Sequence, residues 1–385
     1  MRKLAQNVLK NMIRSTLERP GTFDPVLAAL YVTPMCNLRC DYCELFGTQR
    51  NASYRGQVMD LARIKRVIEL LAEEVHVLYL TGGEPLLRDD IGEILRYARE
   101  RGLSYLAMNT NGLLLHRRPE VLDEIDTLAV SLDSLELGRR DSALARRPEQ
   151  VQRLLDNIRW VASQQQARAF TCTVTCVVTP GLVEDTRRVM EFCFEIGAEF
   201  SIQHLTEERV RSPALKRDPD FPGLIDEMIA AKRAGKPVSG SELYLRSVRD
   251  QVPFNCTPTA VPHIDHQGRL SFPCRELRDH LLVDLVAAGS LRAAIREGVR
   301  RYGLPPVDCS SCPDRCYVEI SALMHHPSWL VREVFGYLRQ QAAARWDRRG
   351  AGSGPPAPVT ELPQPAEQIP APRAKEQQVI GVKGV

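Results

Sequence analysis

Short apolar runs alternate with segments of helical periodicity between residues 27 and 205. The alternation predicts strands joined by helices, which is typical of a parallel sheet with right-handed crossovers. A complete barrel needs eight such units, so six units predict an α/β fold built as an open, partial (β/α)6 TIM-like barrel. The predicted strands are Leu27–Thr33, Val75–Thr81, Leu103–Asn109, Thr127–Leu132, Thr171–Val178 and Phe200–Leu205. The predicted helices are Leu61–Glu73, Ile91–Arg101, Val151–Gln164 and Asp185–Ile196.

Changes in this pattern predict a division of the chain into six segments. A tail rich in proline, glycine, alanine and glutamine cannot bury a core and is expected to be disordered. The segments are an N-terminal amphipathic helix (1–25), the partial barrel (26–210), a connecting helical segment (211–253), a small cysteine-rich module (254–320), a helical closure (321–348) and the disordered tail (349–385).

The first segment carries apolar residues at helical spacing with arginine and lysine between them. The pattern predicts a helix packed against the main body. Contact of this basic amphipathic helix with a membrane surface is the alternative.

Composition narrows the classes of function. The 51 basic and 48 acidic side chains leave a formal charge of only +3, so no general attraction to nucleic acid is indicated. No apolar stretch reaches the length of a membrane span, and we expect a cytoplasmic protein. The eleven cysteines are an odd number, which counts against a disulfide framework and favours metal ligands and core residues.

Three cysteines, Cys36, Cys40 and Cys43, stand in eight residues directly after the first predicted strand. Thiolates are soft ligands that suit zinc or iron–sulfur clusters. A closed zinc site needs a fourth ligand nearby, whereas a cubane cluster with one open iron needs only three. The loop also lies where barrel enzymes build their active sites.

This CxxxCxxC spacing, with the aromatic Tyr42 before the last cysteine, resembles the radical S-adenosylmethionine (SAM) superfamily. The resemblance implies that the three cysteines hold a [4Fe-4S] cluster whose open iron binds SAM. It also implies reductive cleavage of SAM to a 5′-deoxyadenosyl radical, which removes a hydrogen atom from the substrate. A flavodoxin- or ferredoxin-like reductant is the implied electron donor.

Polar segments end the next three strands, and the first two of these segments have a plain alternative as a turn. The resemblance implies that Gly82–Pro85 contacts the amino group of SAM, mainly through Glu84. It also implies that the other polar residues line the same site, and that an arginine after the fourth strand binds the SAM carboxylate. The implied cofactor-binding residues are Tyr42, Gly82, Gly83, Glu84, Pro85, Asn109, Thr110, Ser131 and Asp133, and the candidate arginines are Arg139, Arg140 and Arg146.

A second group of five cysteines follows the barrel: Cys256, Cys274, Cys309, Cys312 and Cys316. The segment between the first two is predicted to be a β-hairpin, which would bring its ends together. The arrangement resembles a twitch or shortened SPASM extension and implies one auxiliary [4Fe-4S] cluster held by four of the five cysteines. Zinc is the alternative metal.

Four further residues have simpler interpretations. Cys172, Cys176 and Cys193 are predicted to be small core residues. His204, at the end of the sixth strand, is a candidate for substrate positioning or proton transfer, with a hydrogen-bonded wall residue as the alternative.

We therefore predict a radical SAM enzyme, with peptide or protein modification as the favoured reaction. The alternative is dehydrogenation or another modification of a sugar, alcohol or natural-product small molecule. An iron–sulfur or zinc protein that transfers electrons or binds partners without SAM chemistry is the interpretation that involves no enzyme.

Overall fold

The structure is a computed structural model, and it describes residues 2–17, 22–43, 58–136, 148–207, 210–250, 254–276, 281–305, 308–309, 312, 314–326 and 328. The predicted tail at 349–385, most of the helical closure at 321–348 and the candidate residues Arg139, Arg140 and Arg146 lie outside the described residues.

The strands are β1 (Leu27–Thr33), β2 (Val77–Gly82), β3 (Tyr105–Thr110), β4 (Thr127–Ser131), β5 (Thr171–Val178), β6 (Glu199–His204), β7 (Thr206–Glu207), β8 (Val210–Arg211), β9 (Phe254–Asn255), β10 (His263–Ile264), β11 (Arg269–Ser271), β12 (Leu282–Asp284) and β13 (Asp308–Cys309). The helices are α1 (Arg2–Leu17), α2 (Leu61–Ala72), α3 (Ile91–Glu100), α4 (Pro148–Arg168), α5 (Val183–Ile196), α6 (Pro213–Arg217), α7 (Phe221–Arg233), α8 (Glu242–Asp250), α9 (Leu285–Ala288), α10 (Leu291–Tyr302) and α11 (Arg315–His325).

Strands β1 to β6 are parallel and lie side by side in chain order. Helices α2, α3, α4 and α5 occupy four of the five connections, and β3 and β4 are joined by short 3-10 turns instead. This arrangement is the predicted partial barrel, and all six predicted strands are present within a few residues of their expected bounds. Strand β1 is mostly apolar and is buried at six of its seven positions, whereas β5 and β6 alternate apolar residues with polar ones that line the barrel interior.

The connecting helices follow from their sequences. Helix α2 begins after Asp60, whose side chain accepts a hydrogen bond from the backbone N–H of Arg63 and so caps the first turn. Its buried residues recur three and four positions apart along one face, which packs on the barrel, and they are Ile64, Val67, Ile68, Leu70 and Leu71.

The cysteine-rich segment extends the barrel sheet. The predicted hairpin is present as β10 and β11, and β10 pairs in parallel with β1, with Ala29 opposite His263. Strand β12 pairs with β11, so nine strands form one sheet in the order β12-β11-β10-β1-β2-β3-β4-β5-β6. The sequence pattern did not predict this pairing, because two-residue strands carry little periodicity of their own.

Helix α11 lies between this hairpin and the rest of the C-terminal segment. It begins at Arg315, where Asp314 caps the first turn by accepting hydrogen bonds from the backbone N–H groups of Cys316 and Tyr317. Ser321 in its middle bonds to Thr257, which follows β9, with the Thr257 N–H 2.9 Å from the Ser321 hydroxyl oxygen. Strand β9 in turn pairs with β13, so three chain segments meet at α11.

Helix α1 contacts the body through asparagines. The Asn7 amide donates to the Pro25 carbonyl oxygen at 2.8 Å and the Asn11 amide donates to the Asp24 carbonyl oxygen at 2.8 Å. Leu9 and Ile13 are exposed, so the described contacts use the polar side of the helix. Among the residues that the structure describes, no helix combines the length and apolar character needed to cross a membrane.

Two glycines within helices differ in the space that surrounds them. A Cβ at Gly298 of α10 would lie 2.4 Å from Cδ2 of the Phe272 ring, whereas a Cβ at Gly223 of α7 would meet only a side-chain nitrogen of Arg187 at 3.7 Å. Gly298→Ala should therefore lower the free energy of unfolding by about 1–3 kcal/mol through overpacking. Gly223→Ala should raise it by roughly 0.5–1 kcal/mol, because alanine favours helices.

Urea unfolding of both variants beside the wild-type protein measures these changes. Equal effects of the two substitutions would contradict the close packing of α10 on Phe272.

Candidate active site

The carboxyl ends of the parallel strands open into one cavity of about 770 Å³. Its walls come from the loop after β1, from residues along the inner side of β1 to β6 and from the C-terminal segment around α11. This is the end of a barrel at which the connecting loops converge, so it is where polar side chains from separate strands meet.

The three N-terminal cysteines all lie on the cavity wall. The Cys43 N–H bonds to the Cys40 carbonyl oxygen at 3.1 Å, and the Leu38 N–H lies 3.4 Å from Cys36 Sγ, so the loop turns back on itself. Burial raises the pKa of the Cys36 thiol to about 12, opposed by the Leu38 N–H and increased by the charges of Glu84, Cys40 and Cys43. A thiolate at this position therefore needs a bound cation to stabilise it.

The donor set fits a cluster that binds each thiolate at a different iron. Three soft sulfur ligands face one cavity, which suits the thiolate coordination of an iron–sulfur cluster. Among the described residues, no three cysteine, histidine or carboxylate side chains stand close enough together to hold a single metal ion.

The two glycines after β2 hold this loop in place. The Gly83 N–H donates to the Thr33 carbonyl oxygen and the Glu84 N–H donates to the Met35 carbonyl oxygen, both at 2.7 Å. A Cβ at Gly82 would lie 2.4 Å from the Thr33 oxygen, and a Cβ at Gly83 would lie 2.2 Å from the Met35 oxygen. Gly82 also has a φ of +146°, so glycine is required at both positions for the backbones to approach this closely.

Glu84 lies behind the cavity wall and is fully buried. Its carboxylate accepts hydrogen bonds from the Thr110 hydroxyl at 2.7 Å, the Asn111 N–H at 2.7 Å and the Leu86 N–H at 3.0 Å. Burial raises the pKa of this carboxyl group although the three donors oppose the rise. Glu84 thus joins the end of β2 to the end of β3, and Pro85 is buried beside it.

Tyr42 connects the cysteine loop to the end of β4 by a hydrogen bond. Its hydroxyl donates to Asp133 Oδ2 at 2.5 Å, and Asp133 Oδ1 accepts the Val177 N–H at 3.0 Å. Burial, followed by the Asp133 charge, raises the pKa of Tyr42, which stays protonated as the donor. The remaining predicted cofactor residues on these strand ends also line the cavity, and they are Asn109, Thr110 and Ser131.

Asn111 is a site residue that the sequence analysis missed. Its side-chain amide donates to Asn37 Oδ1 at 2.7 Å and lies 4.0 Å from Cys36 Sγ. The residue directly follows the predicted cofactor residues Asn109 and Thr110, and this position beside a strand end was the available signal.

Tyr31 and Arg275 form the wall between the cysteine loop and the C-terminal segment, and neither was predicted. Tyr31 packs with Ala29 and Cys43, and the Arg275 guanidinium lies 5.1 Å above its ring. Arg275 Nη2 contacts a Glu276 carboxylate oxygen, whereas Arg275 Nε and Nη1 are buried without a hydrogen-bond partner among the described residues. Only the β10–β1 pairing brings this arginine over β1, so no local signal could have revealed it.

His204 lies on the cavity wall with 3% of its surface exposed. Neither ring nitrogen has a hydrogen-bond partner within the part of the chain that the structure describes. Burial, with a smaller effect of the Arg211 charge, lowers the pKa of this imidazole to about 3, so it is neutral. An unpartnered neutral imidazole can donate one hydrogen bond and accept another from a ligand.

The C-terminal cysteines occupy different surroundings. Cys256, Cys274 and Cys312 are each 5% exposed and stand apart from the described cavity wall, whereas Cys316 is on it. The backbone of Cys309 pairs with Phe254 in β13 and β9, and its side chain lies outside the described residues. Cys172, Cys176 and Cys193 are completely buried, which confirms their prediction as core residues.

The hydrogen bonds by which Glu84 connects β2 to β3 lead to a prediction. Glu84→Gln replaces one acceptor oxygen by an NH₂ group that faces existing donors, so a buried donor loses its partner. The free energy of unfolding should fall by about 1–3 kcal/mol, measured by urea denaturation. The matched control is Glu100→Gln, the same change at an exposed position at the end of α3, which should leave stability nearly unchanged. An equal loss of unfolding free energy in both variants would contradict the role of Glu84 in connecting β2 to β3.

Comparisons with known proteins agree with this geometry. Residues 30–193 match the model of the radical SAM superfamily. A probable GTP 3′,8-cyclase of Methanococcus maripaludis is 28% identical over 292 residues, which cover 71% of this chain and 91% of the relative. A GTP 3′,8-cyclase of Chlorobaculum tepidum is 38% identical over 132 residues, which cover 33% of this chain and 39% of the relative.

Two solved structures share the fold. Streptococcus suis SuiB has a TM-score of 0.57 at 17% identity, and the match covers 81% of this chain and 77% of SuiB. The structure of anSMEcpe with bound AdoMet has a TM-score of 0.52 at 15% identity, and the match covers 83% of this chain and 98% of anSMEcpe. Residues 30–193 therefore carry a radical SAM domain, and the chain is an enzyme that uses a [4Fe-4S] cluster and SAM.

Proposed function

We propose that this enzyme removes a hydrogen atom from a small, polar organic molecule that binds between the cysteine loop and α11. The observation that carries the proposal is the shared cavity. Its wall includes Cys36, Cys40 and Cys43 and also the polar groups of Arg275 and His204. A radical formed at the cysteine loop would reach a substrate held by those polar groups without passing through solvent.

Cys36, Cys40 and Cys43 would hold the cluster, which supplies the electron that splits SAM into methionine and a 5′-deoxyadenosyl radical. Seven of the nine predicted cofactor residues stand on the cavity wall and would contact SAM: Tyr42, Gly82, Gly83, Asn109, Thr110, Ser131 and Asp133. Glu84 and Pro85 would act from behind, because Glu84 orients Thr110 and Asn111 through its hydrogen bonds.

The size of the cavity supports a small substrate. Pockets for a single small ligand measure about 300–1,000 Å³. The 770 Å³ found here must hold SAM as well as the substrate. The remaining volume suits a sugar-sized molecule, which favours the alternative of the sequence analysis over modification of a peptide.

The charges on the wall support a substrate of low negative charge. Among the described lining residues, the carboxylates outnumber the guanidinium groups, with Asp133, Glu199, Glu276, Asp314 and Glu319 against Arg275 and Arg315. Arg315 already contacts the Glu319 carboxylate and donates to the hydroxyl groups of Ser201 and Ser239. A triphosphate, as in the GTP of the relatives' names, needs several free cationic donors. Arg275 offers two donor nitrogens, Nε and Nη1, without a partner among the described residues, and they suit one carboxylate or a pair of hydroxyl groups.

The C-terminal segment would hold an auxiliary [4Fe-4S] cluster and conduct electrons. Its thiols from Cys256, Cys274 and Cys312 are buried near α11, and a flavodoxin- or ferredoxin-like protein would be the external donor. Three buried sulfur ligands with Cys309 close in the chain match the four thiolates that a cubane takes.

The cluster assignment predicts a clear iron count. After anaerobic reconstitution, the wild-type protein should bind about eight irons per chain and convert SAM to 5′-deoxyadenosine when reduced. Replacement of Cys36, Cys40 and Cys43 by alanine should leave about four irons and abolish 5′-deoxyadenosine formation. Full iron binding with no SAM cleavage in the reduced wild-type protein would refute the proposed chemistry.

The substrate class is tested by the rate of SAM cleavage. We expect small hydroxy acids, amino acids or sugars to accelerate 5′-deoxyadenosine formation above its basal rate, and GTP to have no effect. Arg275→Gln should remove the acceleration and keep the iron content of the wild-type protein. The control Arg296→Gln, an exposed position on α10, should keep both. Acceleration by GTP alone would contradict the proposal.

A further inference from the structure

Of the C-terminal cysteines whose side chains the structure describes, Cys316 lines the cavity, whereas Cys256, Cys274 and Cys312 are buried away from it. Cys316, Glu319, Ile320 and Leu323 follow one another at spacings of three, one and three residues, and all four line the cavity. This is the stripe that a helix presents to one side. Tyr317, Val318, Ser321 and Ala322 form the buried opposite face.

The buried face of α11 contacts the segments that carry Cys256 and Cys274. Ser321 bonds to Thr257, the residue after Cys256. Burial raises the pKa of Tyr317, and the next largest contribution comes from the charge of Cys274. Ser321 and Tyr317, on the face opposite Cys316, are therefore the residues of α11 that meet the segments of Cys256 and Cys274. A cluster at the buried face would be closed by Cys309 and Cys312, without Cys316.

The cavity face carries a second, independent sign of a polar ligand. His204 exposes only 3% of its surface, and both of its ring nitrogens lack hydrogen-bond partners among the described residues. Arg275 Nε and Nη1 are buried and unpartnered on the same cavity wall. Buried polar groups of this kind are normally hydrogen-bonded, so these donors and acceptors are explained by a bound molecule. Cys316 shares the cavity with that molecule.

We propose that Cys316 stays outside the auxiliary cluster and donates a hydrogen atom to the substrate radical. The inference rests on the proposed function. After the 5′-deoxyadenosyl radical has taken a hydrogen atom from a substrate carbon, the Cys316 S–H bond breaks homolytically and a new C–H bond forms at that carbon. Cys316 is left as a thiyl radical. One electron from the ferredoxin-type donor and one proton from water restore the thiol.

This step decides the outcome for the substrate. The carbon loses one hydrogen atom and gains another, so its oxidation state is unchanged. A hydrogen delivered from α11 comes from a different wall of the cavity than the cysteine loop that generates the first radical. The reaction class is therefore inversion or exchange at a C–H centre, with one extra electron and one proton consumed for each turnover.

The placement of Cys316 is tested without any substrate. The reconstituted holoenzyme is treated anaerobically with iodoacetamide, and the modified cysteines are identified by peptide mass mapping. Cys316 should be alkylated, whereas Cys256, Cys274, Cys309 and Cys312 should be protected by the cluster. Cys316→Ser should keep about eight irons per chain, and the matched variant Cys312→Ser should lose about four. Loss of iron from Cys316→Ser, or protection of Cys316, would overturn the placement.

Hydrogen transfer is tested in D₂O, where the Cys316 thiol carries deuterium. A small hydroxy acid, amino acid or sugar that accelerates SAM cleavage should be recovered from the wild-type reaction with one carbon-bound deuterium. The deuterium content should fall severalfold in Cys316→Ala and stay at the wild-type level in Cys193→Ala, a core position. Equal deuterium in the molecule recovered from all three proteins would overturn hydrogen donation. Absence of 5′-deoxyadenosine from the wild-type reaction would instead refute the proposed function itself.

Discussion

The close approach of two backbones at the end of β1 is the constraint on which the site depends. The loop that carries the cluster cysteines has little regular structure and is held by hydrogen bonds from the Gly83 and Glu84 N–H groups to the carbonyl oxygens of Thr33 and Met35. These bonds form only because no Cβ stands between the chains. The buried Glu84 carboxylate then accepts a hydrogen bond from Thr110 at the end of β3, so the cysteine loop, β2 and β3 are held together.

The C-terminal segment completes the cavity because β10 pairs with β1. This pairing adds a hairpin to the edge of the barrel sheet and covers an edge strand that would otherwise present unpaired backbone groups. It also brings Arg275 over Tyr31 and α11 to the far wall. One set of strand contacts therefore closes the sheet edge and supplies the polar half of the site.

Much of the fold was readable from the sequence because its signals are local. A strand covered on both faces reads as an apolar run, and a helix such as α2 shows its buried stripe and its Asp60 cap within a dozen residues. The cysteine loop was equally clear, since its three ligands lie within eight residues. The role of Glu84 was less clear, because an acidic residue at a strand end reads the same whether it faces the cavity or lies behind it.

The sequence by itself determined the barrel, the cluster loop and the family, because periodicity and ligand spacing are properties of short stretches of chain. The tertiary structure decided which polar groups share the cavity. Arg275 and Cys316 are distant from the cysteine loop in the chain. The pairing of β10 with β1 brings Arg275 to the cavity, and the orientation of α11 places Cys316 on the cavity wall. Spacing alone could not distinguish Cys316, which lines the cavity, from Cys256, Cys274 and Cys312, which do not, since the difference depends on how α11 lies over the barrel.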